Sequence, residues 1–242
     1  MSGNVAVISD IHGNLHALRA VLADMEEQGI TERVCLGDVV GYGANSRECI
    51  ELVREHGFEC LKGNHDEMVA SDGDLEGVSA ATREAILWTR KCLSAQERAW
   101  LAELPMKMQG SDYEAVHATL HHPSDWPYVL MADMAALSFQ HQTKPLCFIG
   151  HTHRPALWLE GEPMGMDITS IANVSPDRRQ LVNVGSVGQP RDRDEQACYA
   201  VYRREQRDIW WRRVTYDVEG AQKAIIEAGL PPYLAQRLAL GR

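Results

Sequence analysis

The chain of 242 residues is 45% hydrophobic and 24% charged, ordinary values for a globular protein with a sizeable core. Its formal net charge of −10 argues against a nucleic-acid scaffold or a binder of anionic lipid, because an acidic surface repels both at long range. A small anionic ligand held through metal stays compatible with that charge.

The N-terminal MSGNVAVISD lacks a basic segment ahead of a long apolar core, and no stretch approaches the roughly 18 apolar residues of a spanning helix. A cytoplasmic protein with no membrane partner is expected. The cysteines at 35, 49, 60, 92, 147 and 198 are scattered without a C-x-x-C pair. In a reducing compartment they read as small buried apolar residues, not as bridges or zinc clamps.

In chain order, NVAVIS reads as a buried strand. Leu15, Leu18, Val21, Leu22 and Met25 follow at the spacing of one helical face, and Gly29 stops that helix. RVCLGD predicts a second strand, residues 46–56 a helix with Cys49, Ile50 and Val53 inward, and FECLKGN a third strand. This βαβαβ alternation implies parallel strands joined by helical crossovers. The acidic run 66–77 is expected to be a solvated loop, with a lid beside His65 as the lesser alternative. Residues 79–93 read as a helix, and SAQE (94–97) is a capping box opening another that ends near Leu104 and Pro105. YEAVHA predicts a strand, 132–142 a short helix, and LCFIG a strand. From Ala156 to Asp217 strands and turns alternate, as in ALWLE, QLVNVGS, CYAVYRR and DIWWRRVTY. The tail, 218–242, returns to helix, divided by Pro231 and Pro232. One domain over 1–242 is the economical organisation: a pair of mixed sheets flanked by helices.

Open α/β sheets form their sites at the carboxyl ends of strands. Here Asp10 and His12 follow the first strand and Asp38 the second. Asn64, His65 and Asp66 follow the third, His117 ends YEAVHA, and His151 and His153 follow LCFIG. Alternation along a strand would let Asp10/His12 and His151/His153 each turn two ligands into one cleft. The set offers nitrogen and oxygen without sulfur. That suits divalent manganese, iron, cobalt, nickel or zinc and argues against a thiolate-bound structural zinc. It is too large for one ion. Two ions roughly 3.5–4 Å apart would need a bridging carboxylate, for which Asp38 is central, and would activate a water. His121 and His122 compete with His117 for its role, or could touch substrate, but they lie in a Pro/Trp-rich loop whereas His117 ends a strand.

Asp10-Ile-His12, Gly37-Asp38, Gly63-Asn64-His65-Asp66, His117 and Gly150-His151-Thr152-His153, in this order and at strand ends, resemble the calcineurin-like metallophosphoesterases. The runs GDVVGYG and NVGSVGQPRD look like the smaller bacterial phosphodiesterase branch. The resemblance implies an α/β (α+β) fold, a four-layer αββα sandwich of two mixed sheets flanked by helices. It implies Asp10, His12, Asp38 and His153 on one divalent ion, and Asp38, Asn64, His117 and His151 on another, with manganese the first metal to test. It also implies that His65 is not a ligand but helps the leaving group depart, with Asp66 holding the other imidazole nitrogen.

Protein phosphatases of this fold carry an Arg shortly after the Asp38 motif and another just before Gly-Asn-His. Here GDVVGYG has no Arg and Lys62 precedes Gly63, so a bidentate phosphate clamp is missing at those positions. The expected function is a dinuclear phosphodiesterase acting on a small phosphodiester or nucleotide-type substrate. The alternatives are a dinucleoside polyphosphate hydrolase or phosphatase-like phosphomonoesterase, and beyond those a non-catalytic metal-binding scaffold. Arg191 and Lys62 are the candidate substrate residues, Arg191 competing with a plain ion pair to Asp192 or Asp194.

Overall fold

Alternation of side chains along the strands decides which residues lie between the layers. The computed structural model describes residues 3–167, 170–175 and 177–242. Strand β1 (Val5–Ile8) turns Val5 and Val7 into a core between two sheets, and Ala6 and Ile8 onto the helices outside. Helix α1 (Leu15–Glu27) buries Leu18, Val21 and Met25 against that outer face. Its N-cap Asn14 accepts from the Ala17 amide, and Gly29, at φ +66°, ends the turn beyond it. Strand β2 (Glu32–Cys35), α2 (Ser46–Glu55) and β3 (Glu59–Cys60) complete the βαβαβ unit, with β1, β2 and β3 parallel.

Helix α3 (Asn64–Ala70) begins where the sequence suggested a loop, so the acidic run 66–77 is helical through Ala70. Helices α4 (Ala80–Cys92) and α5 (Ala95–Glu103) follow. The capping box at Ser94 and Glu97 forms as read, with reciprocal bonds at both residues.

The second sheet grows from β4 (Lys107–Gln109) and β5 (Tyr113–Val116). Helix α6 (Ala132–Phe139) covers the outer face of β6 (Leu146–Ile149), where Cys147 and Ile149 meet Phe139. Strands β7 (Ala156–Leu159), β8 (Met166–Asp167), β9 (Ile171–Asn173) and β10 (Gln180–Asn183) come next, then β11 (Ala197–Arg203) and β12 (Asp208–Val214). Helices α7 (Val218–Glu227) and α8 (Pro232–Gln236) form the tail.

One sheet runs β3-β2-β1-β11-β12-β9 and the other β4-β5-β6-β10-β7-β8. Both are mixed, and their inner faces meet through Val7, Leu36, Phe148, Val182 and Ala200. Helices on the outer faces complete the expected αββα layering. The short strands β4, β8 and β9 escaped the sequence reading. Each has three residues or fewer, too few for alternation to register. Five cysteines are buried, Cys92 is half-buried, and all six are free, as the scattered spacing suggested. No helix among the described residues is long and apolar enough to cross a membrane.

Candidate metal centre

The parallel strands β1, β2 and β3, and β5 and β6 in the facing sheet, release their chains at one edge. The segments after β1 and β2 stay paired beyond the strands: Asp10 N–H donates to Gly37 O at 3.0 Å and His12 N–H to Asp38 O at 2.9 Å. Asp10, His12, Asp38, His151 and His153 all have positive φ, between 49° and 65°. The i, i+2 pairs therefore reach one cleft through left-handed turns, not by continuing the strand alternation assumed from sequence. Asp and His tolerate this region better than most residues, though such strain costs about 1–3 kcal/mol per residue. Glycines make room for the approach: a Cβ at Gly63 would overlap Asp38 Oδ1, and one at Gly150 would overlap Ser9.

Every predicted ligand side chain but Asn64 is buried. Asp38 Oδ1 accepts the His65 amide at 2.7 Å, which leaves Oδ2 between His12 Nε2 at 3.6 Å and His117 Nε2 at 3.5 Å. Asp10 Oδ2 accepts the His151 amide at 3.0 Å. Its Oδ1 is buried without a hydrogen-bond partner and faces His153 Nε2 at 3.3 Å and His12 Nε2 at 3.8 Å. Asn64 Oδ1 lies 3.3 Å from His117 Nε2.

The distal nitrogen of each of these four imidazoles meets a backbone carbonyl. His12 Nδ1 lies 3.1 Å from Val40 O, His117 Nδ1 3.0 Å from Leu36 O, and His153 Nδ1 2.6 Å from Gln189 O. His151 uses Nε2, 2.9 Å from Trp126 O. A carbonyl only accepts, so each of these nitrogens carries a proton, and in a neutral ring the opposite nitrogen presents a lone pair. His12 Nε2 and His153 Nε2 then face each other lone pair to lone pair at 3.2 Å. Only a cation between such groups turns repulsion into attraction. Three donor clusters, Asp10/His12/His153, His12/Asp38/His65 and Asp38/His117/His151, each gather ligand atoms within 4.8 Å of one another. The donor chemistry, the fixed tautomers and the orphaned Asp10 oxygen fit divalent metal.

The electrostatics agree. Burial holds His12 and His153 well below the usual imidazole range, His151 down to about 3 and His65 down to about 4, so these rings are neutral at pH 7. Burial pushes Asp10 up to about 6. Burial opposes ionisation of Asp38 too, but His117, His65 and His12 outweigh it and hold that carboxyl well below its usual range. Burial likewise opposes charge on His117, yet Asp38 and then Asp10 raise it to about 9.

Two expected residues do other work. Asp66 does not touch the His65 ring, whose Nδ1 is buried without a partner against Gly41. Its carboxylate accepts four backbone amides instead: Asp38 at 2.7 Å, Val39 at 3.0 Å, Val40 at 3.3 Å and Gly63 at 3.0 Å. It sits three residues into the turn that opens α3, so it reaches back to the loop and not sideways to its neighbour. Lys62 does not face the cleft; its Nζ pairs with Glu67 at 2.9 Å and with Ala102 O at 2.8 Å. Arg191 is free of Asp192 and Asp194, because Arg213 takes both. His121 pairs with His141 at 3.1 Å, its ring meets His122 edge to face, and His117 alone of the three enters the donor set.

Sequence reasoning missed several contributors. Asn183 donates to Gly150 O at 2.6 Å and Thr152 Oγ1 at 2.9 Å, fixing the turn between His151 and His153. Tyr42 packs on both His12 and His65, with ring centroids 4.7 and 4.4 Å away. Tyr128 stacks on His151 at 4.1 Å and is 45% exposed, forming an aromatic lip with Trp126. The Asn183 carboxamide lies at a strand end, the one signal that could have flagged it; the aromatics sit in loops without periodicity.

A model of the calcineurin-like phosphoesterase superfamily domain matches residues 4–207, and the chain belongs to that family: it is a metallophosphoesterase, a hydrolase of phosphoric esters. It is 38% identical over 242 residues to an uncharacterised protein of Methanocaldococcus jannaschii, covering 98% of each. The crystal structure of a metallophosphoesterase from Sphaerobacter thermophilus, also 38% identical, superposes with a TM-score of 0.89 over 99% of both chains. A hypothetical protein from Pyrococcus horikoshii OT3 shares the fold at 20% identity, with a TM-score of 0.80 over 99% of this chain and 98% of that one.

Proposed function

We propose that the protein is a phosphodiesterase that hydrolyses a small phosphodiester or nucleotide-type substrate with two divalent ions, manganese being the first to test. The observation that carries the metal requirement is the facing pair of imidazole lone pairs, at 3.2 Å, beside an unpartnered carboxylate oxygen. Asp10, His12, Asp38 and His153 would hold one ion, and Asp38, Asn64, His117 and His151 the other. Asp38 Oδ2 is suited to face both, since Oδ1 is committed to a backbone amide. When bound, the ions supply Lewis acidity toward the phosphoryl oxygens and a water made acidic enough to attack phosphorus. The four backbone carbonyls keep the imidazoles aimed, and Asp66 keeps the Asp38 loop from relaxing.

His65 turns Nδ1 toward Gly41, so a hydrogen bond to the leaving oxygen would come from Nε2. Preference for a diester follows from the charges near the centre. The two guanidiniums that grip a monoester dianion are missing from the loops where related phosphatases carry them, and Lys62 is engaged elsewhere.

The test is hydrolysis of bis-p-nitrophenyl phosphate and p-nitrophenyl phosphate by protein stripped with chelator and reloaded with manganese, cobalt, nickel, iron or zinc. The diester should be turned over with the higher kcat/KM, and elemental analysis should return two ions per chain. A higher kcat/KM for the monoester would replace this reading with a phosphomonoesterase. Turnover of neither ester with any metal would leave a binding scaffold.

A further inference from the structure

Three imidazoles gather outside the central donor cluster, on the segment that helps to wall the cleft. His121 Nδ1 and His141 Nε2 stand 3.1 Å apart, and the ring of His122 meets that of His121 edge to face, with centroids 4.3 Å apart. His121 follows β5 and His141 lies in the turn after α6. His121 is half-buried, and His122 and His141 are exposed.

Buried groups hold the backbones that present them. The Leu120 amide donates to Ser138 Oγ at 3.2 Å, and the His141 amide donates to Ser138 O at 3.0 Å. Ser138 is fully buried in α6, so one fixed residue ties both sides of the histidine contact. The His121 amide also donates to Thr119 Oγ1 at 3.3 Å. Beyond His141, the buried Gln142 carboxamide donates to Lys144 O at 2.9 Å and to Gln180 O at 3.1 Å.

Two neutral imidazole nitrogens that meet head on share a single proton. A tetrahedral cation asks for nearly the same approach, since two nitrogens bonded to it at roughly 2.0–2.1 Å stand about 3.3 Å apart. His122 is exposed, and its ring can turn about its own side-chain bonds to supply a third nitrogen. A donor set of imidazoles alone suits zinc, nickel or copper and not magnesium or calcium. The place has a consequence for the cleft. The segment from His121 to His141 carries Trp126, whose carbonyl oxygen meets His151 Nε2 at 2.9 Å, and Tyr128, which stacks on the His151 ring. An ion at its two ends would close that segment into a loop with fewer open conformations.

We propose that His121, His122 and His141 hold a further divalent ion of the zinc, nickel or copper kind, and that this ion clips together the two ends of the aromatic lip. The site stands apart from the central cluster and does not depend on how many ions that cluster holds.

Equilibrium dialysis of the full chain and of a His141→Ala variant against about 20 µM nickel, read by elemental analysis, tests the site. Wild type should bind about one equivalent more than the variant, and magnesium should give no such difference. His121→Ala should match His141→Ala, while His122→Ala should keep the equivalent and bind it about tenfold more weakly. Nickel should raise the Tm of wild type by roughly 3 °C more than that of His141→Ala. Equal nickel equivalents in wild type and a folded His141→Ala variant would overturn the site. Unchanged nickel affinity in His122→Ala would remove His122 from it. An extra equivalent with equal rises in Tm would overturn the clip.

Discussion

The two sheets serve the cleft with different chemistry. The first supplies both carboxylates, Asp10 and Asp38, together with His12 and Asn64; the second supplies only imidazoles, His117, His151 and His153. The charged side is clamped by backbone amides, four of them on Asp66 and one on each of the two aspartates. The imidazole side is aimed by carbonyls, and the His117 ring reaches across to Leu36 O of the other sheet. Fixed charge on one side and oriented lone pairs on the other teach that loss of a donor should depend on which sheet it leaves.

Substitutions on the charged side should break that contrast most severely. Asp38→Asn should lose at least one metal equivalent by elemental analysis and lower kcat by roughly 10³-fold or more, since one oxygen loses the charge that faces two imidazoles. His65→Ala should keep its metal and lose about 10²–10⁴-fold in kcat, most on poor leaving groups. Full turnover of a poor leaving group by that variant would remove His65 from the chemistry. Asp66→Ala orphans four buried amides and should cost about 3 kcal/mol or more, read as a Tm lower by roughly 10 °C. An unchanged Tm would make the amide clamp incidental.

Smaller effects sharpen the imidazole side. Asn183→Ala frees the turn carrying His151 and His153, and should weaken metal affinity about 10-fold in a competition titration while the fold persists. The least effect is expected far from the cleft, at Asp24, which accepts Tyr199 Oη at 2.6 Å and Arg212 Nε at 2.8 Å. Burial opposes charge on Asp24, but Arg212 and Tyr199 win and lower its pKa. That stability is therefore present above the unfolded carboxylate pKa and lost as pH falls through the lower folded value. Asp24→Asn should flatten the acid limb of a Tm–pH profile and leave metal content unchanged.

The same contrast shows what a reader of the sequence could see. Asp10, Asp38, His117, His151 and His153 stood out because each follows a strand, and topology carries strand ends to one edge. Their backbone conformations did not show, since left-handed turns leave no periodic trace. Asp66 was visible but misread: the family resemblance implied a bond to the His65 ring, whereas helix geometry sends its carboxylate back over the loop. Lys62 looked like a phosphate ligand by position alone, and only the fold reveals Glu67 beside it. His141 gave no signal at all, because contact between residue 141 and residue 121 depends on how the turn after α6 packs.

Five donors held at positive φ carry a consequence for how this chain would age under selection. Glycine at 10, 12, 38, 151 or 153 would relax the main chain by about 1 kcal/mol relative to alanine. A library screened for heat tolerance alone should therefore drift toward glycine at this rim, trading turnover for endurance. Aspartate and histidine at those places record that the natural chain has been kept for what it does and not for how long it lasts.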